Sequence, residues 1–134
     1  MPTLDELKAR FAADRYATEV TGAEILSAEP RHAVCTLSLR PEHLNAAGTP
    51  MGGILFTLAD FAFAVAANGF TGDITVSQSA DIHFLSPAKG RVLTAEARCL
   101  RAGRTVSLYA VDVTDDLGGY VAHVTISGFT VTRQ

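Results

Sequence analysis

The chain has 134 residues, of which 48% are hydrophobic and 19% charged, with a formal net charge of -3. Such a chain fits one globular domain over residues 1–134, long enough to bury about two-thirds of its unfolded surface. The mild acidity offers no attractive field to nucleic acid or to an anionic membrane, so neither is an expected partner.

The start, Met1-Pro2-Thr3-Leu4-Asp5-Glu6, has no basic segment ahead of an apolar one, so a secretory signal is not expected. Leu4, Leu7 and Phe11 recur at helical spacing behind Thr3, which predicts a short amphipathic helix over about 4–14. Ala17–Ala28 reads as a strand. His32–Arg40 alternates more clearly, with Ala33, Cys35, Leu37 and Leu39 on one side, and Pro41 ends it. The turn-rich loop Pro41–Met51 follows. Ile54–Ala67 is apolar except at Thr57 and Asp60, too short to span a bilayer, and reads as a core helix beginning at Gly52-Gly53. Asn68-Gly69 closes it. Four strands are predicted beyond: Ile74–Leu85, Arg91–Ala102, Thr105–Asp115 and Tyr120–Thr132, the last three joined by short glycine-containing links that suit antiparallel hairpins. Val106, Leu108 and Ala110 alternate, and the neighbouring Val111 and Val113 suggest burial on both faces.

One long apolar helix beside about six strands packs most economically if the sheet curls around it, an α+β arrangement. A sheet edge and one helix side are then left uncovered, which a second copy would resolve, so at least a homodimer is expected. Cys35 and Cys99 lie far apart in strand-like surroundings and read as free thiols of a cytoplasmic protein. His32, His43, His83 and His123 show no ligand spacing, so no metal is expected.

The chemistry concentrates around Asp60, because a carboxylate on a nearly all-apolar helix costs several kcal/mol unless something compensates it. Gly52-Gly53 at the helix start lets another group approach backbone N–H donors at the positive end of the helix dipole. Such donors polarise carbonyls, each to the extent of about 2.7–4 kcal/mol in enzymes. Asn45 contributes an amide from the preceding loop. Thr57, Asp60, Ala64 and Asn68 share one helix face and read as the wall of a groove. Spacing alone leaves hydrolysis, dehydration and simple ligand binding open.

His43-Leu44-Asn45-Ala46-Ala47-Gly48-Thr49-Pro50-Met51-Gly52-Gly53-Ile54-Leu55-Phe56-Thr57-Leu58-Ala59-Asp60 resembles the H-x-N-x-x-G-x-x-H-G-G-x-x-x-x-L-x-D signature of PaaI-like hotdog-fold acyl-CoA thioesterases. Phe84-Leu85-Ser86-Pro87-Ala88 resembles that family's F-L-x-P-A loop, and Gly103-Arg104 its G-R pair. The likeness covers roughly residues 15–132. It implies a hotdog fold, with an antiparallel sheet wrapped around the central helix and a short N-terminal helix. It also implies acyl-CoA as substrate, no metal or organic cofactor, and two dimers forming a homotetramer.

The implied roles are these. Asp60 attacks the thioester carbon or activates water, and the Gly52 N–H of the partner subunit polarises the carbonyl. Asn45 and Ser77 orient nucleophile or water. Gly53 and Thr57 border the thioester, with Phe61 among the phenylalanines of an apolar acyl pocket. Lys89, Arg101 and Arg104 meet the coenzyme A phosphates. One fixed position departs: Met51 stands where the family has histidine, and a thioether neither exchanges a proton nor donates a hydrogen bond. That substitution leaves two further expectations open, a non-catalytic acyl-CoA-binding module and, less favoured, a hotdog dehydratase or hydratase, which needs that histidine.

Overall fold

The structure is a computed structural model and describes residues 1–131. Its first element is helix α1 (Leu4–Phe11), started by a capping box in which the Thr3 hydroxyl accepts from the Glu6 N–H while the Glu6 carboxylate accepts from the Thr3 N–H. Leu7 and Phe11 are its buried side.

The first half of the expected Ala17–Ala28 strand is instead a single π-helical turn, Tyr16–Val20. Local bonds favour that turn over an extended chain. Arg15 and Glu19 form a bidentate ion pair at four-residue spacing, and the Asp14 carbonyl accepts from both the N–H and the hydroxyl of Thr18. Gly22, at φ 86°, then redirects the chain into strand β1 (Glu24–Glu29).

The other elements follow the expectation to within a few residues: β2 (His32–Ser38), α2 (Gly52–Asn68), β3 (Ile74–Phe84), β4 (Val92–Ala102), β5 (Val106–Asp115) and β6 (Tyr120–Val131). Thr132 lies outside the described residues. The six strands make one antiparallel sheet in the order β1-β2-β4-β5-β6-β3. Helix α2 lies across it, and the shared core holds Leu58, Ala62, Phe63 and Val65 of the helix against Cys35, Ala95, Val111 and Val124 of the sheet. This is the hotdog arrangement.

Strand β3 lies at one edge of the sheet. It is eleven residues long, yet only Thr75 is buried, while Ile74, Val76 and Phe84 are exposed along with Phe129 and Val131 of the adjacent strand. A long, partly apolar edge strand is a template for pairing with another chain. Among the described residues no helix is long and apolar enough to cross a membrane, and no cluster of side chains could hold a metal ion.

Candidate active site

Asp60 lies midway along α2, half-buried, over a cavity of about 440 Å³ whose walls include Asp14, Tyr16, Phe56, Thr57 and Phe61. The other polar members of its helix face are occupied. The Thr57 hydroxyl donates to the Gly53 carbonyl at 2.9 Å, and the Asn68 amide brackets Thr75, donating to its carbonyl at 2.9 Å and accepting from its N–H at 2.7 Å. No backbone N–H among the described residues donates to Asp60, so its oxygens stay available.

Burial raises the Asp60 pKa above the ordinary carboxylate value; a side-chain contact with Ser77 opposes the rise, and the Asp14 charge adds to it. Ser77 reaches it because it pairs with Gly128 on the helix-facing side of the sheet. A bulge between Ser77 and Ser79 then shifts the register of the rest of the strand. Of the three phenylalanines near Asp60, Phe56 and Phe61 line the cavity. Phe61 also stands edge-on to Phe11 at 6.1 Å, while Phe63 turns into the core against Tyr109.

The start of α2 borders a second cavity, of about 390 Å³, walled by Pro50, Leu55, Phe84, Pro87 and Val121. Met51 is the N-cap residue, extended at φ -61° and ψ 139°, with no side-chain cap. The Gly52 and Gly53 N–H groups have no hydrogen-bond partner among the described residues. A Cβ on Gly52 would lie 2.9 Å from the Phe84 ring, so glycine is what allows that ring to cover the helix start.

Met51 is 57% exposed and carries nothing that could replace the missing imidazole. Nor do the other histidines supply it. His43 is buried and accepts from the Arg40 N–H at 3.0 Å; burial, then the Arg40 charge, lower its pKa. His83 and His123 face each other on β3 and β6, on the side of the sheet away from α2.

Asn45 organises its own loop. Its side-chain oxygen accepts from the N–H groups of Ala47 (2.9 Å) and Thr49 (3.1 Å), and its amide nitrogen donates to the Thr49 hydroxyl at 3.0 Å, leaving one amide hydrogen to offer. Lys89, Arg101 and Arg104 are all exposed, but one protomer does not bring them together. Lys89 precedes β4 and the arginines stand at its far end, about 33 Å away along an eleven-residue strand. The Lys89 loop is fixed from behind by a residue with no motif to mark it. The Asp115 carboxylate accepts from the N–H groups of Lys89 (2.8 Å), Gly90 (3.1 Å), Leu117 (3.1 Å) and Gly119 (2.8 Å), which hold its pKa down at about 2.

The thioesterase superfamily model matches residues 47–122, which include Asp60, Gly52 and Ser77. The chain belongs to the thioesterase superfamily. It is 31% identical to acyl-coenzyme A thioesterase 13 of Homo sapiens over 84% of this chain and 82% of that one. The PaaI protein of Escherichia coli superposes with a TM-score of 0.83 at 28% identity, covering 96% of both chains. A Streptococcus pneumoniae thioesterase protein solved with coenzyme A superposes with a TM-score of 0.80 at 26% identity, over 92% of this chain and 98% of that one. The expected PaaI-like hotdog fold and membership of a family of thioester hydrolases both stand.

Asp60 and Gly52 of one thioesterase protomer do not share a cavity. They are eight residues apart on one helix, about 12 Å along its axis, and no residue lines both spaces. The segment Asp14–Tyr16, which walls the Asp60 cavity, was not an expected site element, and nothing in its composition distinguishes it from an ordinary helix exit.

Proposed function

We propose that this chain hydrolyses acyl-CoA thioesters at sites shared between two subunits, each combining Asp60 of one with the Gly52 N–H of the other. The observation that carries the reading is the Asp60 carboxylate itself, half-buried, free of backbone donors among the described residues, its pKa raised by burial, beside a cavity that Phe56 and Phe61 line together with Asp14, Arg15 and Thr57. Burial makes it a stronger base than a solvated aspartate.

The uncovered edge of β3 supports a dimer. Antiparallel pairing of two β3 strands would bring the Phe84–Lys89 end of one protomer beside the Ile74 end of its partner. The Gly52 cavity of one protomer, roofed by Phe84, would then approach the Asp60 side of the other. The same pairing would carry Lys89 of the partner subunit toward Arg101 and Arg104, so that cations far apart in one chain meet a single coenzyme A. Two such dimers complete a homotetramer, and the free thiols, with the Cys35 thiol pushed up to about 12 by burial, suit a cytoplasmic protein.

The thioester carbonyl oxygen accepts from the helix-start N–H, in an apolar setting where such a donor counts for more than in water. Asp60 then takes a proton from water as the water oxygen adds to the carbonyl carbon. Alternatively its own oxygen adds, and water opens the resulting anhydride. Ser77 and the free amide hydrogen of Asn45 orient the attacking oxygen. The carbon–sulfur bond breaks, sulfur leaves as the coenzyme A thiolate and regains a proton, and the acyl group departs as a carboxylate. Gly53 and Thr57 border the thioester, Met51 flanks it without exchanging protons, and Phe61 lines the acyl pocket.

The test is free-thiol release over a panel of aromatic and aliphatic acyl-CoAs, with Asp60→Asn alongside. The wild type should release thiol from at least one class, and the variant should lose nearly all of it. Tight coenzyme A binding with no turnover of any thioester would instead favour a binding module, the reading that Met51 keeps open. An enoyl thioester formed without free thiol would favour a dehydratase.

A further inference from the structure

Beyond the C-terminal half of α2, the sheet and the Pro30-Arg31 turn enclose a cavity of about 620 Å³ that shares no lining residue with the cavities at Asp60 and Gly52, and only Arg104 with the proposed coenzyme A contacts. We infer that this cavity is a second binding site, for a small organic anion carrying one carboxylate or phosphate on an apolar body.

Its floor is apolar, built from Ala66, Ala67 and Phe70. Hydroxyls converge from the sheet side. Ser107 is only 8% exposed, its Oγ is fully buried, and it has no hydrogen-bond partner among the described residues. A buried hydroxyl without a partner is costly, and a ligand oxygen supplies what it lacks. Gly128 on the neighbouring strand packs closely against that hydroxyl, since a Cβ there would lie 2.8 Å from the Ser107 Oγ, 2.8 Å from the Thr75 methyl and 3.1 Å from the Phe63 ring. Tyr109, 3% exposed, also lines the cavity; burial first, and the neighbouring Cys99 next, keep its phenol protonated and able to donate, while the Arg31 charge opposes the rise.

Two arginines, Arg31 and Arg104, are among the lining residues and set the sign of the ligand. Arg31 is held in the left-handed region at φ 64°, unusual for a residue with a side chain. Its N–H donates to the Ala66 carbonyl at 3.1 Å, and its carbonyl accepts from the Cys99 N–H at 3.1 Å, so helix and sheet together impose that conformation. Arg104 sits on a turn whose tightness requires glycine, since a Cβ on Gly103 would lie 2.6 Å from the Val106 carbonyl oxygen. Neither arginine pairs with a carboxylate among the described residues. Asp73 is the single carboxylate in the lining, so the two arginines leave an excess of one positive charge.

The test is a titration of the full-length, isotope-labelled chain by amide NMR with benzoate, phenyl phosphate and, as neutral control, benzyl alcohol. Benzoate or phenyl phosphate should shift the Ala66, Phe70, Ser107 and Thr130 amides saturably, and benzyl alcohol should bind at least tenfold more weakly. Ser107→Ala and Arg104→Ala should each weaken anion binding about tenfold, with the rest of the spectrum unchanged to certify the fold. Saturating coenzyme A, which draws on Arg104 under the proposed function, should weaken the anion by no more than Arg104→Ala does. The inference is overturned by an absence of saturable shifts, by equal binding of the alcohol, by binding indifferent to both substitutions, or by complete displacement with coenzyme A, which would make the cavity part of the coenzyme's own site.

Discussion

At the C-terminal end of α2 the carbonyls of Val65, Ala66, Asn68 and Gly69 all have donors: the Gly69 N–H, the Arg31 N–H and two nitrogens of the Arg10 guanidinium. At the N-terminal end the Gly52 and Gly53 N–H groups have none among the described residues, and Gly52 borders a cavity. The two ends of one helix are thus finished oppositely. The first is tied down by α1 and by a Cys99-linked turn, with Gly69 so crowded that a Cβ would lie 2.7 Å from the Val65 carbonyl oxygen. The second keeps its donors for something that is not protein. Helix termini buried or half-buried without partners are costly, and where a fold that caps one end so fully leaves the other open, a ligand is the natural complement.

The contrast is broken most severely by removing the groups at the open side. Asp60→Asn should lower thioesterase turnover by about 10²–10⁴-fold, the usual contribution of a positioned base, as measured by thiol release. Its effect on stability should run the other way. Burial raises the folded-state pKa of Asp60, so the carboxylate destabilises the fold once ionised; its favourable linkage is complete below the ordinary carboxylate pKa and is lost as pH rises through the folded value. The variant should therefore melt higher than wild type at pH 7, with the gap closing as the pH approaches the ordinary carboxylate pKa of about 4.

Gly52→Pro is the next largest change. Proline is tolerated at the first helical position and deletes only the N–H, at the expense of a shift in the exposed Phe84 ring. Turnover should fall about 10²–10³-fold with helix content by circular dichroism unchanged.

At the closed end the effects should be smaller and confined to stability. Arg10→Ala removes two charge-assisted bonds to α2 carbonyls and should destabilise by about 1 kcal/mol in urea unfolding, with kcat retained. Asp115→Asn sharpens the comparison from the Lys89 side. Because the Asp115 pKa is held at about 2 in the folded state, its contribution is complete above the ordinary carboxylate range and is lost as pH falls through about 2. The variant should be less stable than wild type at pH 7, the difference vanishing toward pH 2 in thermal melts, and KM for acyl-CoA should rise as the Lys89 loop loosens.

The helix, the six strands and the exceptional carboxylate were all legible in the sequence, because each rests on a periodicity or on its interruption. Asp60 stood out as a charge inside an apolar run, and in the fold it is half-buried, with burial raising its pKa against the side-chain contact with Ser77. The π-turn at Tyr16–Val20 was not legible. Its stretch alternates well enough to pass for a strand, and the bonds that decide otherwise, Arg15 to Glu19 and Thr18 to Asp14, are local side-chain choices that hydropathy does not register. Lys89, Arg101 and Arg104 were grouped by the family resemblance, which carries no distances, and the length of β4 separates Lys89 from the two arginines within one protomer. Asp115 sits in an unremarkable Asp-Asp-Leu-Gly-Gly link, and only the fold reveals that it grips a loop 25 residues away.

The central claim is that Asp60 and Gly52 work together only across two subunits, and mixing tests it most directly. Asp60→Asn and Gly52→Pro proteins, each inactive, would be unfolded together and refolded as mixed dimers. Each mixed dimer would regain one intact site, so about a quarter of wild-type thiol release should return. If the mixture stays as inactive as its components while mixed dimers are present by native mass spectrometry, the two residues do not cooperate across a subunit boundary and the account is wrong.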